Sequence, residues 1–486
     1  MNPPFDISRR EFLVSSTAGL GLAGAMAAGA ASPKAHDAIR LAQGTPGGRT
    51  LLKGGVVLSM DRAVGDFERA DVLIDGSRIA AVGPNLEAGA ANVIDAAGMI
   101  VMPGFIDTHH HQYETILRGI LADGILTGPR SYISDIQGIL TPPYQPEDAY
   151  ISELLASLSQ INAGVTTGVD TSQVSHSPQH TDACIQGLKE SGRRTLFAYS
   201  PGAGPAAQYP QDIRRLRKQH FSSDEQLLTL AMGGNANADV WAVAREVNAP
   251  IVNHIVGNSD ALLALGKAGL MGPDNEYIHC TRLTQEAWKL IADTGGKVSI
   301  ACPIEMQMRH GMPPIQRALD HGIRPSLSTD VETNMAADMF TQMRSVLTLQ
   351  RALLNERALA GEDRLPALLT CREVLEFATL EGARCAHLDH KVGSLSPGKQ
   401  ADVIMLDAGA INVMPMNNAP ATVVTMMDTS NVRNVFIGGK LVKANGALLG
   451  VDLKRIAELL VKSRDAVLER AKYSRNLFGS CCFSGR

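Results

Sequence analysis

The sequence predicts an α/β chain: a distorted (β/α)8 TIM barrel with a small β-sandwich domain built from N- and C-terminal segments. Three observations predict it. Eight short apolar stretches alternate with amphipathic helical patterns between residues 101 and 385. Two segments of strand-like texture flank that block. A histidine tract follows the first apolar stretch, where a parallel barrel carries its working residues.

The 486 residues exceed one ordinary core, so a large domain plus a smaller one is expected. With 45% hydrophobic and 19% charged residues, the chain is globular rather than disordered or fibrous. A net charge of −4 without a long basic run argues against nucleic acid and anionic membranes as partners. Only 4% aromatics also leaves little for base stacking.

Residues 1–42 are expected to be a signal peptide and linker. Ser8-Arg9-Arg10-Glu11-Phe12-Leu13 precedes a mild apolar run rich in Ala and Gly, with the layout of a secretory leader. The Arg-Arg-Glu-Phe-Leu run resembles a twin-arginine signal, which implies the twin-arginine export machinery as partner and a periplasmic or extracellular location. The run is too rich in glycine for a stable membrane anchor. The seven cysteines (Cys184, Cys280, Cys302, Cys371, Cys385, Cys481 and Cys482) show neither zinc-knuckle spacing nor a disulfide framework, and most read as buried small hydrophobes.

Residues 49–100 read as short strands broken by Gly and Asn, for example Leu51-Leu52-Lys53-Gly54-Gly55-Val56-Val57-Leu58. The same texture returns in 386–450, and the two segments are expected to pair as one composite β-sandwich domain. Barrel strands are expected at 102–107, 164–170, 195–199, 227–232, 250–254, 277–279, 297–301 and 324–329, with helices at 147–162, 284–294 and 314–321. The barrel domain thus spans 101–385. Residues 451–486 form a C-terminal helix and tail, the helix over 452–473 packing outside the barrel or at a homodimer contact. Met335, Met339 and Met343 stand at helical spacing, as core or pocket wall.

Pro103-Gly104-Phe105-Ile106-Asp107-Thr108-His109-His110-His111 carries the strongest chemistry. On an extended chain, residues i and i+2 share a face, about 7 Å apart. His109 and His111 can therefore point together into the barrel mouth and bind one borderline-soft cation. His110 faces the other way, in a structural or supporting role.

This tract resembles the first-strand signature of the amidohydrolase superfamily. Leu117-Arg118-Gly119 resembles its aminohydrolase and chlorohydrolase branch, which includes cytosine, guanine and triazine hydrolases. Ala163-Gly164-Val165-Thr166-Thr167 resembles the second strand. Ala378-Thr379-Leu380-Glu381-Gly382-Ala383-Arg384 and the run from Gly393 to Asp402 resemble the return to the β domain. The resemblance implies further site residues. His254, ending Val252-Asn253-His254, would be the third histidine ligand. His279, in Tyr277-Ile278-His279-Cys280, would touch the attacking water or the substrate. Asp330, ending Ser326-Leu327-Ser328-Thr329-Asp330, would be both metal ligand and catalytic base, with a helix cap as its plain alternative. Strand four lacks the lysine of two-metal members, so one divalent ion per chain is expected on His109, His111, His254 and Asp330. Zinc comes first, with iron, manganese or cobalt as alternatives.

The resemblance implies hydrolysis of a non-peptide C–N bond in a small-molecule substrate: an amide, amidine or aminated heterocycle. The ion acidifies water, Asp330 takes the proton, and His279 orients the water or steadies the oxyanion. One departure stands out. Deaminases of the branch place a glutamate three residues after the strand-five histidine, and here that residue is Gly257. Glu305 and Glu332 are candidate substitutes, Glu305 as acid or substrate contact. His310 joins His279 and Glu305 as a candidate substrate-binding residue on a barrel-top loop. His176 and His180 lie on such loops too and read singly as surface residues. A urea, carbamate or thiocarbamate hydrolase, or a non-catalytic binding module of the same fold, are the competing readings.

Overall fold

The computed structural model describes residues 48–479; the leader, Cys481 and Cys482 lie outside the described residues. Five strands come first: β1 (Arg49–Val57), β2 (Phe67–Asp75), β3 (Arg78–Gly83), β4 (Asn92–Asp95) and β5 (Met99–Pro103). Eight follow in the central block: β6 (Phe105–His110), β7 (Val165–Ser172), β8 (Arg194–Tyr199), β9 (Leu228–Asn235), β10 (Ile251–Val256), β11 (Asn275–Thr281), β12 (Lys297–Ile300) and β13 (Ser326–Leu327). The last four are β14 (Val403–Asp407), β15 (Val432–Ile437), β16 (Lys440–Ala444) and β17 (Ala447–Leu448).

Strands β1–β5 and β14–β17 make one nine-stranded sheet, joined where β14 runs antiparallel to β5. The two flanks are thus hydrogen-bonded edge to edge in one composite β domain. Alternate residues still supply its core, as the period of a strand requires. Ala70, Val72 and Ile74 of β2 meet Val403 and Met405 of β14 and Phe436 of β15 in one buried cluster.

Strands β6 to β13 neighbour one another in chain order and pair in parallel. All eight expected barrel strands are present. The first was drawn across two elements. Gly104 separates β5 from β6, which starts in a different sheet. A Cβ at Gly104 would fall 2.1 Å from Thr166 Oγ1, so only glycine permits this approach. The eighth strand is only two residues long. The barrel closes beyond it, through Asp330 N–H to His109 O (2.9 Å) and His111 N–H to Asp330 O (2.8 Å).

The bottom of the barrel is plugged. Ile106, Val169, Leu196, Val252 and Ile278 form a buried layer with Ala383, Ala386 and Leu388. These last come from the helix Leu380–Cys385 and the turn after it. The barrel is tied to the nine-stranded sheet by a buried bidentate pair, Arg194 with Asp402, at 2.8 and 3.0 Å.

Outside the barrel, the helix Pro146–Asn162 starts with Pro146 in its first turn and a capping box between Gln145 and Asp148. It buries Ile151, Leu154, Leu158 and Ile161, one stripe at helical spacing. The C-terminal helix Leu453–Arg470 lies on it, with Ser463 and Arg470 both bonded to Asp148. The methionine run departs from expectation. The helix Met339–Leu359 starts at Met339, so Met335 precedes it, while Met339 and Met343 are core. Among the described residues, no helix is long and apolar enough to cross a membrane.

Candidate metal centre and active site

The site is assembled at the C-terminal ends of β6, β7, β10, β11 and β13. Strand alternation sends His109 and His111 inward, as their spacing requires. The β7 residue Thr171 then fixes both rings. Its Oγ1 lies 2.9 Å from His109 Nδ1, and its carbonyl lies 3.2 Å from His111 Nδ1. A carbonyl can only accept, so His111 carries its proton on Nδ1. Thr171 Oγ1 can accept from His109 Nδ1 in the same way. Each ring then presents an Nε2 lone pair to the centre.

The donor set converges there. His109 Nε2 is 3.1 Å from Asp330 Oδ1, His111 Nε2 is 3.6 Å from the same oxygen, and His254 Nε2 is 3.3 Å from His111 Nε2. His279 Nε2 lies 3.7 Å from Asp330 Oδ2. The ligand atoms of His109, His111 and His254 lie within 4.8 Å of one another, as do those of His109, His279 and Asp330. Four donors at ordinary zinc distances from one tetrahedral ion stand roughly 3.3–3.4 Å apart. The donor set therefore fits one divalent ion: imidazole nitrogens and a carboxylate, mutually spaced as its coordination sphere demands.

Electrostatics agree. Burial, then the neighbouring His109, pushes His111 and His254 well below the usual imidazole range. Both are thus neutral, the form a metal binds. Burial alone would raise the Asp330 carboxyl, but His279 and His109 outweigh it and hold it well below the carboxylate range. Burial pulls His279 down, yet Asp330 and Glu305 together leave it raised.

Backbone strain gathers at the same place. His279 (φ 69°), Cys280 (φ 52°), Arg282 (φ 58°) and Asp330 (φ 63°) are left-handed without being glycine. Such residues persist only where their surroundings enforce them. A register irregularity between Ile255 and Val256 accompanies them opposite the end of β11.

His109, His111, His254, His279 and Asp330 are therefore brought to one point. Glu305 stands behind them. It lies in the first turn of the helix Cys302–Gln307, where Oε1 accepts from Ala301 N–H (2.9 Å) and meets His279 Nδ1 (3.1 Å). It grips the back of the His279 ring. Glu332 is turned away, paired with Arg118 at 2.7 Å and accepting from Thr115. His110 faces Asp107 and Glu332 on the outer side of β6, completely buried.

His310 is not the surface residue that loop histidines usually are. It is 4% exposed, its ring centroid is 4.7 Å from that of His279, and neither nitrogen has a partner in the protein. His176 is buried as well, spanning Thr141 O and Ala203 N–H, and is structural. His180 bonds Ser177 Oγ and Tyr144 O.

Three contributors escaped the sequence reading. Thr171 sits one residue past the expected second strand. Asp107 accepts from His109 N–H (3.3 Å) and Thr329 N–H (3.0 Å), locking β6 to the turn that carries Asp330. Glu114 follows His111 by three residues. Its carboxyl is fully buried, accepts from Tyr132 O–H at 2.6 Å, and is pushed up by burial to about 8. The available signal was position alone, at strand ends or beside the histidine tract.

The profile of the amidohydrolase family matches residues 100–442, most of the chain. This chain belongs to the amidohydrolase family. It is a metal-dependent hydrolase of carbon–nitrogen bonds other than peptide bonds. The chain is 27% identical to the 5'-deoxyadenosine deaminase of Methanosarcina mazei over 453 residues, 86% of this chain and 98% of that one. It is also 27% identical over 453 residues to 5-methylthioadenosine/S-adenosylhomocysteine deaminase 1 of Syntrophus aciditrophicus, covering 85% and 98%. Among solved structures, a zinc-bound adenosine deaminase of Xanthomonas campestris aligns at TM-score 0.75 and 21% identity, covering 86% of this chain and 98% of that one. A zinc-complexed atrazine chlorohydrolase of Arthrobacter aurescens aligns at 0.76 and 21%, covering 85% and 100%. The barrel and its accompanying sheet are thus the fold of this amidohydrolase.

Proposed function

We propose that this amidohydrolase removes an amine from a small nitrogen heterocycle, adenine nucleosides being the first class to test. The convergence of three imidazoles with Asp330 carries the reading. His109, His111, His254 and Asp330 would hold one ion, zinc first. When bound, that ion would supply the positive charge that makes water acidic and polarises the electrophile. Asp330 takes the proton from the attacking water, its Oδ2 turned toward His279. His279, steadied by Glu305, hydrogen-bonds to the oxygen that gains charge. His310, with two unpartnered ring nitrogens, binds the heterocycle. The resemblance to deaminases of adenosine derivatives over most of both chains supports the substrate class.

One observation favours a second reading. The residue three places past His254 is Gly257, with φ 70°. The glutamate that deaminases of this branch carry there is missing, which favours ureas and carbamates over ring deamination. Metal analysis coupled to a panel of aminated heterocycles, ureas and carbamates separates the two. Ammonia from a ring supports the first, an amine plus carbon dioxide the second. Asp330→Asn should reduce turnover at least 1,000-fold, of the order seen when an essential base is removed; near-normal rates would remove Asp330 from the chemistry.

We further propose export by the twin-arginine route to the periplasm, supported by Arg9-Arg10 and the apolar run behind them. Fractionation of cells carrying Arg9→Lys with Arg10→Lys tests it. Retention in the cytoplasm is expected, and unchanged export would reject the route.

A further inference from the structure

Cleaving a C–N bond leaves a basic nitrogen, which departs only if something protonates it. Five carboxyl groups lie close enough to be considered. Asp107 is taken up by His109 N–H and by Thr329. Asp330 belongs to the ion cluster. Glu332 is consumed by Arg118 and Thr115. Glu305 is behind His279, so the imidazole stands between it and any substrate. Glu114 remains.

Glu114 lies on the short 3-10 helix Gln112–Leu117, directly after His111. Its Oε1 accepts from Tyr132 O–H at 2.6 Å, while its Oε2, buried, has no well-formed hydrogen bond. The Tyr113 hydroxyl, also buried, lies beside the carboxyl and interacts with it without a well-formed hydrogen bond. The rings of Tyr113 and Tyr132 stand 6.0 and 6.3 Å from the ring of His111. The tyrosine that holds the carboxyl therefore packs next to a ligand histidine. A buried carboxyl oxygen without a well-formed hydrogen bond is costly in a finished core. It becomes reasonable if a ligand completes it. Tyr132 also opens the π-helical segment Tyr132–Leu140, a rare geometry that concentrates at functional sites.

We propose that Glu114, held by Tyr132, donates the proton to the leaving nitrogen. This rests on the deamination reading above. Water adds its oxygen to the ring carbon, and its proton passes to Asp330. The C–N electron pair leaves with nitrogen as Glu114 Oε2 gives up its proton, and ammonia departs. Asp330 returns its proton to solvent, and Glu114 is reprotonated from solvent, so no other reactant is needed.

The test contrasts leaving groups on the zinc-loaded full chain. The probes are 5'-deoxyadenosine and its 6-chloro analogue, whose chloride needs no proton. Glu114→Gln keeps an acceptor for Tyr132 but has no acidic proton. It should slow the amine substrate about 100-fold or more and the chloride substrate less than about 5-fold. Tyr132→Phe, which loosens the carboxyl without removing it, should fall between on the amine. Zinc content and thermal unfolding of Glu114→Gln should match wild type, which separates chemistry from a damaged site. Equal slowing of both probes, or slowing of neither, overturns the assignment. If the wild type acts on neither probe but cleaves carbamates, the deamination reading falls. Glu114 is then judged on carbamates with alkylamine against nitroaniline leaving groups, by the same criterion. A wild type inactive on every substrate overturns both.

Discussion

Thr171→Val is the sharpest probe of how the metal centre is built. The two side chains have nearly the same shape, so packing is conserved while one hydroxyl is lost. That hydroxyl lies 2.9 Å from His109 Nδ1, in a site where His109 is completely buried. Its removal frees the His109 ring to turn and to shift its proton to Nε2, the nitrogen aimed at Asp330. Removing such an orienting partner typically weakens metal binding about 10–100-fold, or about 1.4–2.7 kcal/mol. The His111 contact is to the Thr171 carbonyl and survives the change. Only one of three imidazoles is therefore released, and the lower end, about 10-fold, is expected. Competition titration against a zinc chelator reads the affinity directly. Unfolding of the metal-free protein supplies the control, with a loss of roughly 1–2 kcal/mol for the stranded imidazole nitrogen. Zinc affinity within twofold of wild type would refute the claim that Thr171 sets the ring orientation.

Three other outcomes can be checked alongside it. Gly382→Ala should destabilise by roughly 1–3 kcal/mol despite the helix preference of alanine, because its Cβ would sit 2.8 Å from Ile106 Cβ; urea unfolding at neutral stability or better would show that the plug yields. Gly257→Glu should cost roughly 1–2 kcal/mol for forcing a left-handed glutamate, and should not accelerate release of a poor leaving group; faster deamination would mean that the acid is simply missing there. Lys443 is pushed down to about 8 by burial and Arg433, while its amine donates to Asn162 O at 2.6 Å. With the folded value below the unfolded one, the unfolded chain binds more protons between about 8 and 10.5. Wild type should therefore gain stability relative to Lys443→Met as pH rises through that window, and denaturant titrations with parallel pH dependences would contradict the assignment.

Much of this was legible beforehand because it is local. His109 and His111 share a face by the geometry of any strand, and eight apolar stretches with helices between them leave few architectures. What stayed hidden depends on contacts between distant residues. Thr171 is an ordinary strand-end threonine until β7 lies beside β6. Glu114 resembles a polar turn residue until Tyr132 folds over it. Gly104 interrupts one apparent strand because Thr166 occupies the space a side chain would need, and Thr166 is far along the chain. An eighth strand was expected over 324–329, but only Ser326 and Leu327 form it, and the bonds that close the seam run through His109, His111 and Asp330 beyond it. The histidine at 176 reads as a surface residue for the same reason: its loop is polar in sequence, but Thr141 and Ala203 close over the ring.

The seam has a consequence for synthesis. His109 and Asp330 are 221 residues apart in sequence, yet they meet across the last gap to close. On a ribosome, the paired imidazoles at 109 and 111 emerge long before the carboxylate that completes their set. In that interval the nascent chain offers a partial chelator with no cage around it. Secure capture of the cofactor must wait until the eighth strand has been made and docked, so loading is coupled to termination of the barrel rather than to its initiation.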